Sequence, residues 1–497
     1  MIVTVAPDVA GLDGKEFDYL VPDKLAGQVR VGSVVRIDLQ GRRVRAWVVA
    51  TGSEPPPGVP LKPIAQVSRG GFAPEILELA RWASWRWAGR IVHLLDTATT
   101  ATARVTDGVS AAPGVTLVRV PPAAPLPMFR NALAVQGRRS SAWASVDRCD
   151  AVVVYDEHDE ALKEERVPAW HARDVAVERA RRAGVPCVLV SPCPSLEALT
   201  VADRVVEPSR AEERAGWPIL DVVDRRGDDP RSGLYSRHLV DTIRRHEGRA
   251  VLCILNRKGR LRMLACRACG EVARCERCDA AVGQPQGALV CERCGSERPV
   301  VCLACGSTAM RTLRVGVGRA QEEMDALLGP GRVEVGTEAL LHAAPANVGV
   351  VAFLDFDQEL LAPRYRASEQ AMALLARAAR ILGPRAGGGR LVAQTRNPKH
   401  AVLDAVQHAD PSRMVAAELE RRRALGFPPS TALAAVSGAA ASEFIDALGA
   451  PLGVDILGPV DDRWLLRSPD HATLCDALAT APRPKGRVRV EVDPLRV

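Results

Sequence analysis

Eight of the chain's cysteines form four Cys-x-x-Cys pairs inside forty residues: Cys266 with Cys269, Cys275 with Cys278, Cys291 with Cys294, and Cys302 with Cys305. One such pair turns two thiolates toward a common point, and two pairs complete the tetrahedral sulfur shell that structural zinc prefers. Four pairs therefore predict two zinc ions. A nested grouping places Cys275, Cys278, Cys291 and Cys294 around one ion and Cys266, Cys269, Cys302 and Cys305 around the other; a sequential grouping satisfies the same spacing. Disulfides, an iron–sulfur centre and a redox pair are the competing chemistries. The regular spacing, the flanking Gly270, Gly295 and Gly306, and a reducing compartment favour zinc. A closed sulfur shell leaves no position for substrate, so the ions are expected to be structural. Cys149, Cys187, Cys193, Cys253 and Cys475 lie singly on apolar runs or loops and read as structural thiols.

The reducing compartment is itself an inference. The chain opens Met1, Ile2, Val3 without a basic segment leading into an apolar core, so the expected location is the cytoplasm, with nucleoid association. No apolar stretch is long enough to cross a bilayer; the Ala-rich segment from Thr431 is interrupted by Ser437, Glu443 and Asp446, and no membrane partner is expected. A net charge of +7 favours an acidic partner such as nucleic acid.

At 497 residues the chain exceeds one hydrophobic core. Short β-rich runs at Val34–Ile37 and Ala46–Val49, then helical spacing from Pro74 to Leu95, predict a small β-rich domain over 1–105, with Trp82, Trp85 and Trp87 in its core. The Pro-, Ala- and Gly-rich stretch 106–130 reads as an interdomain linker. Apolar runs at 151–154, 185–190 and 250–255 alternate with helical segments, and the alternation resumes after the cysteines, which predicts parallel α/β sheets. The expected architecture is multidomain α/β: one lobe over 131–250, a second over 251–265 and 307–400, an inserted double zinc module over 266–306, and an α+β domain over 401–497.

Several local motifs add to this reading. Phe17-Asp18-Tyr19, Lys62, Trp170-His171-Ala172-Arg173-Asp174, Pro194-Ser195-Leu196-Glu197, Asn256-Arg257, the zinc spacing and Phe427-Pro428-Pro429 together resemble the PriA family of primosomal replication-restart proteins. The resemblance is to a divergent, actinobacterial-type member. It implies that the N-terminal domain recognises the 3′ end of a nascent strand, with Asp18 on the terminal nucleotide, Phe17 walling the pocket and Lys62 as a basic contact. It further implies nested zinc sites that help dock partner proteins, and α/β lobes of the superfamily 2 helicase kind.

The motor of such a helicase is not intact. Phosphate transfer needs a Gly-rich loop with Lys followed by Ser or Thr, whereas Gly14-Lys15 is followed by Glu16. The family's Asp-Glu-Glu-His is here Tyr155-Asp156-Glu157-His158, so Asp156 and Glu157 read as remnants or surface charges. Its Gly-Arg-Ala-Gly-Arg is reduced to Ala376-Arg377-Ala378-Ala379-Arg380, of which Arg380 is the expected match. The expected function is therefore binding of branched or single-stranded DNA at arrested forks and recruitment of primosome components, with single-strand-binding protein and helicase-loading proteins as partners, without ATP hydrolysis and with no catalytic residue assigned. An active 3′–5′ helicase with an atypical nucleotide site and a protein-only zinc scaffold are the alternatives. The basic run Arg257, Lys258, Arg260, Arg262 is a candidate track along a DNA backbone.

Overall fold

The structure is a computed structural model that describes the chain except residues 10, 13, 55–57, 59, 229–232, 257–263, 285–286, 292 and 313–316. The basic run from Arg257 to Arg262 lies outside the described residues.

The N-terminal unit is a five-stranded antiparallel sheet in the spatial order Phe17–Leu20, Ile2–Pro7, Arg42–Thr51, Ser33–Leu39, Gln66–Gly71. Alternation along these strands gives the sheet two buried faces. Val3, Val5, Val35, Ile37 and Val48 pack on one, while Trp47 and Val49 face the helices Glu75–Arg86 and Ile91–Thr99. Of the three clustered tryptophans, Trp87 is fully buried and meets Trp82 edge-on, whereas Trp85 reaches outward and donates its indole N–H to Asp476.

The first α/β lobe carries a six-stranded sheet in the order Arg204–Val206, Val115–Arg119, Cys187–Ser191, Ala151–Tyr155, Ala132–Val135, Arg104–Thr106. All neighbours are parallel except the last pair. This corrects the linker expected over 106–130. Val115–Arg119 pairs on both sides and Leu117 is fully buried, so the segment is an inner strand framed by Pro- and Gly-rich turns. Helix Ala172–Ala183 runs between two of these strands; His171 caps its start and Gly184, at φ +68°, closes its end in the left-handed conformation that glycine adopts freely.

The second lobe begins earlier than expected. Ile219–Asp224, assigned from sequence to the first lobe, belongs to a five-stranded parallel sheet in the order Ile219–Asp224, Arg390–Thr395, Val348–Phe353, Ala250–Ile254, Glu334–Gly336. Helix Ala367–Leu382 covers one face, burying Ala371, Leu375, Ala378, Ala379 and Leu382. Val402, Leu403, Val406 and Met414 join the same core, so the C-terminal unit starts after residue 425 rather than at 401. That unit is a four-stranded antiparallel sheet, Asp455–Val460, Arg463–Ser468, Ala432–Ser437, Arg489–Val492, backed by helices Ala441–Leu448 and His471–Thr480.

Candidate metal centres, DNA-contact residues and interlobe cleft

The cysteine module leaves the second lobe on an antiparallel pair, Leu264–Cys266 with Met310–Thr312. Within it the same local geometry recurs four times. In each Cys-x-x-Cys pair the first cysteine's carbonyl accepts from the amide four residues on, at Gly270, Asp279, Gly295 and Gly306, at 2.9–3.0 Å. Its own amide donates to the carbonyl five residues on, at Glu271, Ala280, Ser296 and Ser307, at 2.8–2.9 Å. The residue four on has φ between +62° and +77° each time. Glycine supplies that conformation three times and Asp279 once, an aspartate being among the few other residues that visit it readily.

These turns gather the thiols as nested fours. Cys266, Cys269, Cys302 and Cys305 form one group and Cys275, Cys278, Cys291 and Cys294 the other, which excludes the sequential grouping. Sulfur–sulfur separations are 3.5 Å for Cys266–Cys305, Cys269–Cys302, Cys275–Cys294 and Cys278–Cys291. A tetrahedral ion with metal–sulfur bonds of about 2.3 Å sets its ligands about 3.8 Å apart, so both groups are sized for one metal ion each. The second group is mostly buried; in the first, Cys269 and Cys305 are exposed. Around the second group the module is tied to the lobe: Arg293 donates to the carbonyl of Arg364 at 2.7 Å and to that of Cys278 at 2.9 Å, and the Ala281 amide donates to Leu361 at 2.7 Å.

In the N-terminal unit, Phe17 and Asp18 sit on the edge strand Phe17–Leu20. Phe17 is half-buried against the sheet core, and Asp18 accepts from the Thr4 hydroxyl at 2.7 Å. Lys62 is exposed and pairs with Asp38 at 3.1 Å, which holds the Asp38 carboxyl below its ordinary range. The backbone brings Lys62 beside the same strand, where the Leu20 amide donates to the Lys62 carbonyl at 2.9 Å. Phe17, Asp18 and Lys62 thus share one edge of one sheet, though Asp18 and Lys62 each hold a different partner.

A third feature lies where the two lobes face each other. Strand Ala151–Tyr155 is wholly buried and ends at Asp156, whose φ of +52° turns the chain into the cleft. Asp156 is met by Arg380 from the other lobe through two hydrogen bonds, 2.6 and 2.8 Å. Burial alone would raise the Asp156 carboxyl; the Arg380 hydrogen bond and charge outweigh it and hold the carboxyl below its ordinary value. Glu157 is fully buried and accepts from the Ser195 amide and hydroxyl at 2.8 and 2.7 Å. His158 pairs with Ser191 at 2.8 Å, and burial keeps it neutral by lowering its pKa. These residues are paired and enclosed rather than surface charges. Arg377, not expected from the motif as a site residue, also crosses the cleft, to Asp159 at 2.8 Å. Its position one helical turn before Arg380 was the available signal.

A cavity of about 920 Å³ opens beside these pairs. Eleven carboxylate side chains line it against seven Lys and Arg, so its lining is net acidic with histidines neutral. Such a surface repels phosphate groups, the more so where water is partly excluded. Among the described residues no helix is long and apolar enough to cross a membrane.

The chain is similar to known proteins over much of its length. The family described as 3'DNA-binding domain (3'BD) matches residues 4–100, the N-terminal unit just outlined. Curated relatives include the replication restart protein PriA of Treponema pallidum, 31% identical over 374 residues, covering 65% of this chain and 56% of the relative. The probable replication restart protein PriA of Mycobacterium tuberculosis is 32% identical over 377 residues, covering 67% and 56%. That of Bacillus subtilis is 28% identical over 348 residues, covering 61% and 43%. The chain spans about half the length of the curated relatives it matches.

Proposed function

The chain is related to the replication restart protein PriA, and from that premise we propose that it binds branched or single-stranded DNA at arrested replication forks and recruits primosome components without hydrolysing ATP. The observation that carries this reading is the match of residues 4–100 to a 3′ DNA-binding domain. In this role Asp18 recognises the terminal nucleotide, Phe17 walls its pocket, and Lys62 exchanges its exposed partner Asp38 for a phosphate. An exposed ion pair is inexpensive to exchange, which suits a phosphate contact.

Two zinc ions occupy the two cysteine groups. The residues fit that ion by donor type, number and separation, and zinc there supplies a structural cross-link between knuckles rather than a reactive centre. The paired α/β lobes act as a degenerate helicase-like body. The chain lacks the Gly-Lys-Ser/Thr loop that cradles phosphates, and the cleft residues in the positions of the motor motifs are spent on each other. Single-strand-binding protein and helicase-loading proteins are the proposed partners, in the cytoplasm at the nucleoid.

The deciding experiment compares binding to a model fork bearing a free 3′ leading-strand end with binding to the same fork 3′-blocked, with ATP hydrolysis read in the same tube. Preference for the free end without hydrolysis is the expected outcome. DNA-stimulated hydrolysis would establish an active motor with an atypical site, and equal weak binding to both forks a protein-only scaffold.

A further inference from the structure

Helix Ala367–Leu382 has two faces with different tasks. Ala371, Leu375, Ala378, Ala379 and Leu382 bury into its own lobe. Arg366 at its N-cap, then Glu369, Gln370, Arg377 and Arg380, recur at helical spacing on the other side, and every one of them bonds across the cleft. Arg366 grips Glu197 with two bonds of 2.5 and 2.9 Å. Glu369 accepts from the Leu196 amide at 2.9 Å, and Gln370 bonds Glu160. Arg377 takes Asp159 and Arg380 takes Asp156, as described above.

Apolar packing does not do this work. The buried clusters of the first lobe contain no side chain from 219–425, and the large cluster of the second lobe takes in Cys193 as its one side chain from before Trp217, among the described residues. The far rim of the seam is polar as well: Arg210 donates to the carbonyls of His408 and Ala409 at 2.7 and 2.9 Å, and Arg385 to that of Arg214 at 3.1 Å.

We propose that the polar face of helix Ala367–Leu382 is a self-contained clamp that holds the two lobes closed on protein carboxylates, Asp156, Asp159 and Glu197, so that the lobe pair is a fixed platform needing no nucleotide to close. This rests on the reading that the chain turns over no ATP and deepens it. A phosphate-bearing ligand reaching the cleft would have to break two arginine–carboxylate pairs and enter a net acidic cavity. Closure by the protein's own charges also makes the clamp sensitive to salt at Arg380, whose side chain is 42% exposed.

The test places a donor and an acceptor dye, through unnatural amino acids, at Val205 and Glu247, which are exposed on the first and second lobes, and reads the interlobe distance by single-molecule energy transfer on the full chain. The wild type is expected to show one closed population, unmoved by magnesium and ATP. In Arg377→Ala with Arg380→Ala the open share is expected to rise roughly fivefold or more, since two partly exposed ion pairs across the seam are lost together. The exchange Asp156→Arg with Arg380→Asp should restore closure. Identical distributions in the wild type and the double alanine variant, or a shift of the wild type by ATP, would overturn the proposal. If the variant fails to fold, the milder Arg380→Gln decides: its open share should exceed that of the wild type, and identical distributions in the two overturn the clamp. Fork binding is read on the same samples; loss of the 3′-end preference with the distance behaviour intact would sink the functional reading and leave the clamp standing.

Discussion

At the scale of single residues, the zinc module is where chemistry and backbone agree most closely. The cysteine spacing alone indicated two metal sites but admitted two groupings. What selects the nested one is the antiparallel return of the chain at Met310–Thr312 onto Leu264–Cys266, a pairing of residues more than forty apart that no local pattern contains. Asp279 was invisible for a related reason: three knuckles end in glycine, and only the backbone angle reveals that an aspartate performs the same turn in the fourth. Two outcomes follow at this scale. Cys275→Ser should lower bound zinc from two ions to one per chain, read by metal analysis of the purified protein, because the outer group keeps its four thiols; unchanged zinc would reject the assignment. Asp18→Ala should abolish the preference for a free 3′ end in fork-binding titrations while leaving zinc content and thermal stability as they were, since Asp18 is held by one hydroxyl at a sheet edge.

Among elements, the lesson is in strand Val115–Arg119. Its residues, Val-Thr-Leu-Val-Arg, are a plausible strand, but Pro113-Gly114 and Pro121–Pro125 flank it, and a window wide enough to reveal a linker averages a five-residue strand away. Parallel strands are short and gain their pairing from distant segments, here Cys187–Ser191 and Arg204–Val206. The same blindness misplaced the lobe boundary, because Ile219–Asp224 finds its neighbour at Arg390–Thr395. By contrast the long helix Ala367–Leu382 carries its signal locally, since its burial repeats within its own sequence. Its outward arginines were read through a motif that asks for glycines, which hid the fact that Arg377 and Arg380 both survive. If 115–119 is an inner strand, Leu117→Ala should destabilise the first lobe by about 2–4 kcal/mol, measured as the shift in the denaturant midpoint. A true linker would tolerate the change without a measurable shift.

For the whole molecule, the distribution of apolar and charged contacts divides the chain in a way its order does not. The N-terminal unit, the first lobe and the C-terminal unit share one continuous buried cluster, running from Trp47 and Leu79 through Trp143 and Val154 to Phe444 and Val490. The second lobe, with the zinc module on it, meets this body across charges. The first, second and last parts of the sequence thereby share one apolar core, and a buried polar cluster joins them beside it. Arg86 from the N-terminal unit meets Asp493 from the C-terminal one, buried, at 2.6 Å; His471 bonds the same carboxylate at 2.9 Å. Lys163 of the first lobe donates to the carbonyls of Val492 and Asp493 at 2.8 and 2.7 Å, its own pKa drawn down to about 8 by burial. Burial alone would raise the Asp493 carboxyl, but Arg86 and His471 hold it well below its ordinary value. A carboxyl depressed on folding contributes stability that is present in full above its unfolded pKa, about 4, and is lost as pH falls through the lower, folded value. Asp493→Asn, which leaves Arg86 without its counter-charge in a buried site, should therefore cost about 3 kcal/mol near pH 7, and the gap to the wild type should narrow as the pH drops below about 4. Denaturant midpoints of the two proteins across that range check both halves: a gap that stays constant into acid would mean the carboxylate's charge is not what joins the three units, and that the shared apolar cluster suffices on its own.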